Sequence, residues 1–135
     1  ALGVAKKNAR KNNVEGQILW QWGNLLHDYR GERNIDLIVS NPPYIKTEDC
    51  NDLAEEVKGH EPMLALDGGG DGLDFYRAIT VQAKNYLNTN GVLAYEIGYN
   101  QGEDVVNLLK ENGFISVELI KDLAGKNRVV IGRLE

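Results

Sequence analysis

Cysteine, proline and positive charge are scarce in this chain. One cysteine, Cys50, stands among 135 residues, so no disulfide staples the fold; with only His27 and His60 beside it, no zinc-ligand spacing exists. An intracellular protein with no metal is expected. Only three prolines occur, and no apolar run approaches the roughly 20 residues that cross a bilayer. No signal peptide opens the chain either, so no membrane partner and a cytoplasmic location are expected. Fifteen Lys+Arg against 20 Asp+Glu leave a net charge of −5. An acidic surface is poorly suited to neutralising phosphates along a duplex, so stable nucleic-acid binding is not expected. The one methionine, Met63, lies in mid-chain, so Ala1 is not expected to be the start of translation. The opening agrees: Leu2, Ala5 and Ala9 recur at helical spacing beside Lys6, Lys7, Arg10 and Lys11, with no Ser, Thr, Asp or Asn before them as a cap. A helix already running at Ala1 is the reading; a processed N-terminus with a frayed turn is the alternative.

The composition is that of a folding chain, with 42% hydrophobic and 26% charged residues, and 15.0 kDa is room for one domain with a core. The helix stops near Asn12-Asn13. Gln17-Ile18-Leu19-Trp20 reads as a short strand and Ile35 to Ser40 as a second. Leu37-Ile38-Val39 is continuously apolar, which suits a strand covered on both faces. A long Gly- and acid-rich stretch runs from Asn41 to Gly72, with at most a short helix around Leu53 to Val57. Asp71-Gly72-Leu73-Asp74 has the form of a helix start, an Asp accepting from first-turn N–H groups. Leu73, Tyr76, Ile79, Ala83 and Leu87 follow on one face. The helix breaks at Asn88 to Gly91, and Val92 to Ile97 reads as a strand. A helix from about Gly102 turns Val105, Val106, Leu108 and Leu109 inward and ends at Gly113. Strands Ile115 to Ile120 and Arg128 to Leu134 close the chain as a hairpin. The alternation predicts an open α/β sheet, mixed, with an antiparallel edge strand.

In open parallel sheets ligands bind beyond the carboxyl ends of the strands, and the best strand runs straight into Asn41-Pro42-Pro43-Tyr44. Each proline fixes its own φ and holds the residue before it extended. The Asn41 amide oxygen and the Pro42 carbonyl thereby become two fixed acceptors for one –NH₂ group, binding its hydrogens more strongly as nitrogen gains charge. Tyr44 offers a ring to a planar amide or base. Asn-Pro-Pro is also a competent strand stop. Glu96 and Gln101, past the next strand, read either as crevice lining or as a capped helix entry. His27 and His60 read as solvated loop residues, Trp20 and Trp22 as core and rim aromatics.

Asn41-Pro42-Pro43-Tyr44 resembles the signature of amino-methylating class I methyltransferases, which act on glutamine amides or on exocyclic amino groups of DNA bases. Other stretches carry the resemblance further: Ile45, Glu61-Pro62, Ala65-Leu66 with Gly68-Gly69, Asp71-Gly72-Leu73-Asp74 with Tyr76-Arg77, Glu96-Ile97-Gly98 with Gln101-Gly102, and Lys121-Asp122-Leu123-Ala124-Gly125 with Arg128-Val129-Val130. With them the chain is similar to the HemK-type release-factor glutamine methyltransferases over nearly its whole length. The resemblance implies a Rossmann-like class I fold, of which residues 1–135 are the C-terminal part of the catalytic domain. It also implies methyl transfer from S-adenosylmethionine to the glutamine amide of the Gly-Gly-Gln loop of class 1 peptide chain release factors. Asn41 and Pro42 would hold the amide nitrogen and Pro43 and Tyr44 would shape the slot. Alternatives are a DNA adenine methyltransferase and a non-catalytic binding module.

The departures from the family pattern are as specific. The Gly-rich cofactor turn after the family's first strand and the acidic residue ending its second do not precede Ala1, and the N-terminal helical domain is absent from the sequence. The fragment is therefore expected to be inactive or nearly so. Gly68 to Gly72 lacks a Gly-x-Gly-x-x-Gly match and reads as the loop after the substrate motif. The resemblance implies cofactor contacts at Asn41, Asn24 and Leu25, Asn24 standing near the place of an acidic acceptor for the adenine amino group; a plain turn Asn is the other reading. With two family strands missing beside it, the strand leading into Asn41 is expected to have an unpaired edge, with either self-association through that edge or disorder in residues Ala1 to about Asn34.

Overall fold

The computed structural model describes residues 1–53, 59–60 and 62–135, and these fall into two compact units, Ala1–Gly31 and Glu32–Glu135. The expected helix at Leu53 to Val57 and the residue Glu61 lie outside the described residues, apart from Leu53.

In the first unit, helix α1 (Leu2–Lys11) starts without a side-chain cap. It covers Leu2, Ala5 and Ala9 while Lys6, Lys7, Arg10 and Lys11 stay in water. Arg10 Nε donates to Glu15 Oε1 at 2.8 Å. Asn13 ends the helix in the left-handed region at φ +57°. The strand expected at Gln17–Trp20 does not form: Gln17 closes a 3₁₀ turn, Glu15–Gln17. Leu19 is fully exposed. A strand needs a neighbour to take its N–H and C=O groups, and no described residue pairs with this one. Trp22 stands 85% exposed, so it is not a core or rim aromatic.

The second unit is built on a four-stranded mixed sheet in the order β1-β2-β4-β3. Its strands are β1 (Ile35–Ser40), β2 (Leu87–Glu96), β3 (Phe114–Lys121) and β4 (Asn127–Leu134). β1 and β2 run parallel, whereas β4 lies antiparallel to β2 and the edge strand β3 pairs antiparallel with β4. Helices α2 (Asp74–Ala83) and α3 (Gly102–Glu111) complete the unit. Tyr76, Ile79 and Ala83 of α2 and Val105 and Leu109 of α3 are buried, as are Leu93, Tyr95 and Val130 of the sheet. The Tyr76 and Tyr95 rings meet edge to face with centroids 5.1 Å apart. Gly113 at φ +87° follows α3, as its C′ position requires.

Three boundaries differ from the reading of the sequence. α2 ends at Ala83, and Leu87 opens β2 instead of extending the helix. Asn88 to Gly91 is not a break but an irregularity inside the strand. Ile35 faces Leu87 while Leu37 faces Val92, so the extra residues bulge, with Asn90 at φ +64°. β1 is not covered on both faces. Ile38 shares a face with buried Leu93, but Leu37 and Val39, on the face of Val92 and Ala94, are 54% and 69% exposed. β1 is also an edge of the sheet. Among the described residues no helix is long and apolar enough to cross a membrane.

Candidate active site

β1 ends at Ser40, opposite Tyr95 of β2, and delivers Asn41 to Tyr44 at the carboxyl edge of the parallel pair. Pro42 is buried, Pro43 and Tyr44 are half-buried, and Asn41 is exposed. Neither the Asn41 side-chain amide nor the Pro42 carbonyl takes part in a hydrogen bond among the described residues. The two acceptors singled out by the sequence are thus adjacent and unengaged.

The loop they sit on is braced from behind. Ile45 N–H donates to the Leu66 carbonyl at 3.0 Å and Gly68 N–H to the Ile45 carbonyl at 2.7 Å, a parallel bridge between the acceptor loop and the glycine-rich stretch. Thr47 Oγ1 donates to Asp67 Oδ1 at 2.7 Å, and Gly69 N–H donates to the same oxygen at 3.0 Å. These two donors, the hydroxyl first, hold the Asp67 carboxyl below its ordinary pKa. A Cβ at Gly68 would lie 2.7 Å from Tyr44 Cα, so the two backbones approach too closely for any side chain there. The Gly68 to Gly72 stretch therefore packs against the acceptor loop, a contact that its reading as the loop after the substrate motif did not include.

Gln101 closes the brace. Its amide is buried at the N-terminus of α3 and makes no helix cap. Nε2 donates to the Tyr44 carbonyl at 2.9 Å and to the Gly72 carbonyl at 3.2 Å, while Oε1 accepts from Gly98 N–H at 3.0 Å. The Tyr76 hydroxyl, 3.5 Å from Oε1, donates to the Glu96 carbonyl at 2.9 Å. Burial pushes the Tyr76 phenol far above its ordinary pKa, Tyr44, Glu96 and Tyr95 adding to the effect, so it remains a neutral donor. Neither role was read from the sequence. Gln is a poor N-cap, and its presence where Ser, Thr, Asp or Asn is favoured is the signal that its amide serves another purpose.

Asp71 Oδ1 accepts from Leu73 N–H at 3.0 Å, a local Asx turn rather than the expected cap of the first helical turn. Both its oxygens also take the Arg77 guanidinium, which reaches Asp74 Oδ1 at 3.3 Å as well. Arg77 first, then Leu73 N–H, lower the Asp71 carboxyl to about 2. Tyr44, Tyr99 and Gln101 line a crevice of about 480 Å³ with the carboxylates of Asp49, Asp71 and Asp104. Cys50 is buried, and burial first, then Asp67 and Asp49, push its thiol up and away from the reactive thiolate.

Asn24 and Leu25 belong to the first unit. Asn24 N–H donates to Asp28 Oδ2 at 2.8 Å, and Leu25 sits at φ +52°. The Asn24 side-chain amide has no partner among the described residues. His27, exposed, lies 3.2 Å from Asp28 Oδ1, and His60 is exposed.

A parallel strand here ends in two acceptors that are unengaged among the described residues, with a braced loop behind it. Residues 1–71 match the model of the methyltransferase small domain, and the chain belongs to that family. It is similar to the release factor glutamine methyltransferase of Clostridium acetobutylicum, 44% identical over 133 residues, with 97% of this chain and 46% of that protein covered. The enzyme of the same name from Geobacter sulfurreducens is 42% identical over 134 residues, covering 99% and 46%. This chain spans about half the length of the curated relatives it matches. Among solved structures, a methyltransferase from Pyrococcus furiosus superposes with a TM-score of 0.64 at 18% identity, covering 96% of this chain and 55% of that one. A ribosomal protein L11 methylase from Lactobacillus delbrueckii subsp. bulgaricus gives 0.59 at 23%, covering 99% and 53%. These two establish the class of fold.

Proposed function

We propose that residues 1–135 form the acceptor-binding part of a protein methyltransferase that modifies the glutamine amide of the Gly-Gly-Gln motif in class 1 peptide chain release factors. The supporting observation is the unengaged pair of oxygens on Asn41 and Pro42, in a chain 38–45% identical to enzymes of that name. The glutamine –NH₂ presents two protons to two fixed oxygens, which turns the nitrogen lone pair away from them. As nitrogen gains positive charge during attack, both hydrogen bonds strengthen, so the pair favours the transition state over the ground state. Pro42 and Pro43 keep the loop extended and Tyr44 walls the slot.

The free amides of Asn41 and Asn24 suit the hydrogen-bonding groups of S-adenosylmethionine, and among the described residues the crevice beside Tyr44 sets the carboxylates of Asp49, Asp71 and Asp104 against the single cation Lys46, a balance that favours its sulfonium. When bound, that cofactor supplies a methyl group already activated for transfer. Asn41 belongs to the acceptor loop; Asn24 and Leu25 are assigned to its adenine end. The setting is the cytoplasm, where release factors act. The open edge of β1 is assigned to self-association.

A chimera tests the reading: residues 1–135 replace the matched stretch of the C. acetobutylicum relative, which is itself the positive control. With labelled S-adenosylmethionine and a class 1 release factor, the chimera is expected to label the Gly-Gly-Gln glutamine. Asn41→Ala is expected to lower turnover by about 100-fold, the loss of one transition-state contact with its orientation. An unlabelled glutamine, or Asn41→Ala at full rate, refutes it.

A further inference from the structure

We propose that Gln101 is a positioning residue for methyl acceptance: acting through the Tyr44 carbonyl, it sets the angle at which Asn41 and Pro42 present their oxygens. The inference rests on the function proposed above and adds a role that lies 57 residues from Tyr44 along the chain.

The amide of Gln101 is used completely. Both Nε2 protons go to carbonyls, Tyr44 at 2.9 Å and Gly72 at 3.2 Å, and Oε1 takes the Gly98 N–H at 3.0 Å. The orientation is therefore fixed, because a flipped amide would set its oxygen against two carbonyls and its –NH₂ against an N–H. The residue is 7% exposed, so water replaces none of these partners at low cost. Its own backbone is equally tied: Gln101 N–H donates to the Gly98 carbonyl and the Gln101 carbonyl accepts from Val105 N–H, both at 3.0 Å. α3 packs against β3 and β4, so the reference point for the acceptor loop is the rigid body of the sheet. Pro42 and Pro43 stiffen the two residues between the Asn41 oxygen and the Tyr44 carbonyl. A shift at Tyr44 therefore passes to Asn41 instead of being absorbed. With its amide committed to Tyr44, Gly72 and Gly98, Gln101 has no N–H left to offer substrate or cofactor; it determines where the acceptor groups are held.

Two substitutions separate positioning from mere support. In the chimera, Gln101→Ala is expected to lower kcat by up to about 100-fold, the penalty of a misplaced acceptor, with KM for S-adenosylmethionine nearly unchanged. Gln101→Glu keeps the shape but sets a carboxylate against the Tyr44 and Gly72 carbonyls. Once protonated, it regains one O–H donor. Its turnover relative to wild type is expected to rise as pH falls, whereas the ratio for Gln101→Ala stays flat. In residues 1–135 alone, Gln101→Ala is expected to speed amide exchange at Ile45, Thr47 and Gly68 by about tenfold or more, leaving β2 and β4 protected. Uniformly faster exchange, unchanged exchange at those three amides, or a Gln101→Glu ratio indifferent to pH overturns the inference. If the wild-type chimera is active and Gln101→Ala matches its kcat, the Gln101 role fails and the proposed function stands; an inactive wild-type chimera defeats the function itself.

Discussion

Gly72 stands at φ +79°, and a Cβ added there would fall 2.6 Å from the Tyr44 carbonyl oxygen and 2.8 Å from Gln101 Nε2. Alanine must therefore adopt a left-handed backbone and also push apart the hydrogen bond that ties the acceptor loop to α3. The backbone strain alone is on the order of 1–3 kcal/mol. Gly72→Ala is expected to lower the midpoint of urea unfolding of the second unit; an unchanged midpoint would mean that the loop moves aside without cost. At this scale the site was only partly legible in the sequence. Asn41, Pro42, Pro43 and Tyr44 are consecutive, and what prolines do to their neighbours is local, so their geometry could be derived. Gln101 and Tyr76 act on carbonyls 57 and 20 residues away, and only the folded chain brings those together. Asn24 was read near an acidic position of the family, and the structure shows its backbone held by Asp28 in a turn.

β1 matches its sequence reading to the residue, Ile35–Ser40, because turn-forming polar segments bound a short β-branched run. Gln17–Trp20 has similar local chemistry and forms no strand, since pairing is a property of two segments and periodicity describes one. The same limit explains the faces of β1. Three successive apolar residues imply cover on both sides, yet α2 and α3 cover only the side of Ile38 and Leu93, leaving Leu37 and Val39 largely exposed. An edge strand with unused N–H and C=O groups and an apolar exposed face is a template for another strand. Residues 1–135 are expected to self-associate with rising concentration in sedimentation velocity. Val39→Lys, which sets a charge on that face, is expected to shift the distribution toward monomer. A wild-type chain that sediments as monomer at every concentration removes β1 as an association surface.

At the scale of the molecule, four carboxyls among the described residues are held below their ordinary pKa by bonds that exist only when the chain is folded. Asp28 is lowered first by Asn24 N–H, Asp67 by the Thr47 hydroxyl, Asp71 by Arg77 and Asp122 by Lys126 N–H. A folded pKa below the unfolded one means that the unfolded chain binds more protons as pH drops. The stabilisation is thus complete above the unfolded value of about 3.9 and disappears as pH falls through the folded values, the lowest being about 2 for Asp71. Stability is expected to be level near neutrality and to decline from about pH 4 downward. The two units give separate readouts. Both tryptophans, Trp20 and Trp22, lie in the first unit with Asp28, whereas Asp67, Asp71 and Asp122 belong to the second. In urea unfolding followed at several pH values, tryptophan fluorescence reports the single Asp28 contribution and the far-ultraviolet signal of the sheet reports the other three. The sheet signal is therefore expected to lose stability more steeply on acidification than the fluorescence signal. Arg77→Ala, which removes the largest cause of the lowered Asp71 carboxyl and leaves the Leu73 N–H, is expected to flatten the steeper curve and leave the shallower one unchanged. A sheet signal as stable at pH 2 as at pH 5 would mean that these carboxyls keep their partners in the unfolded chain.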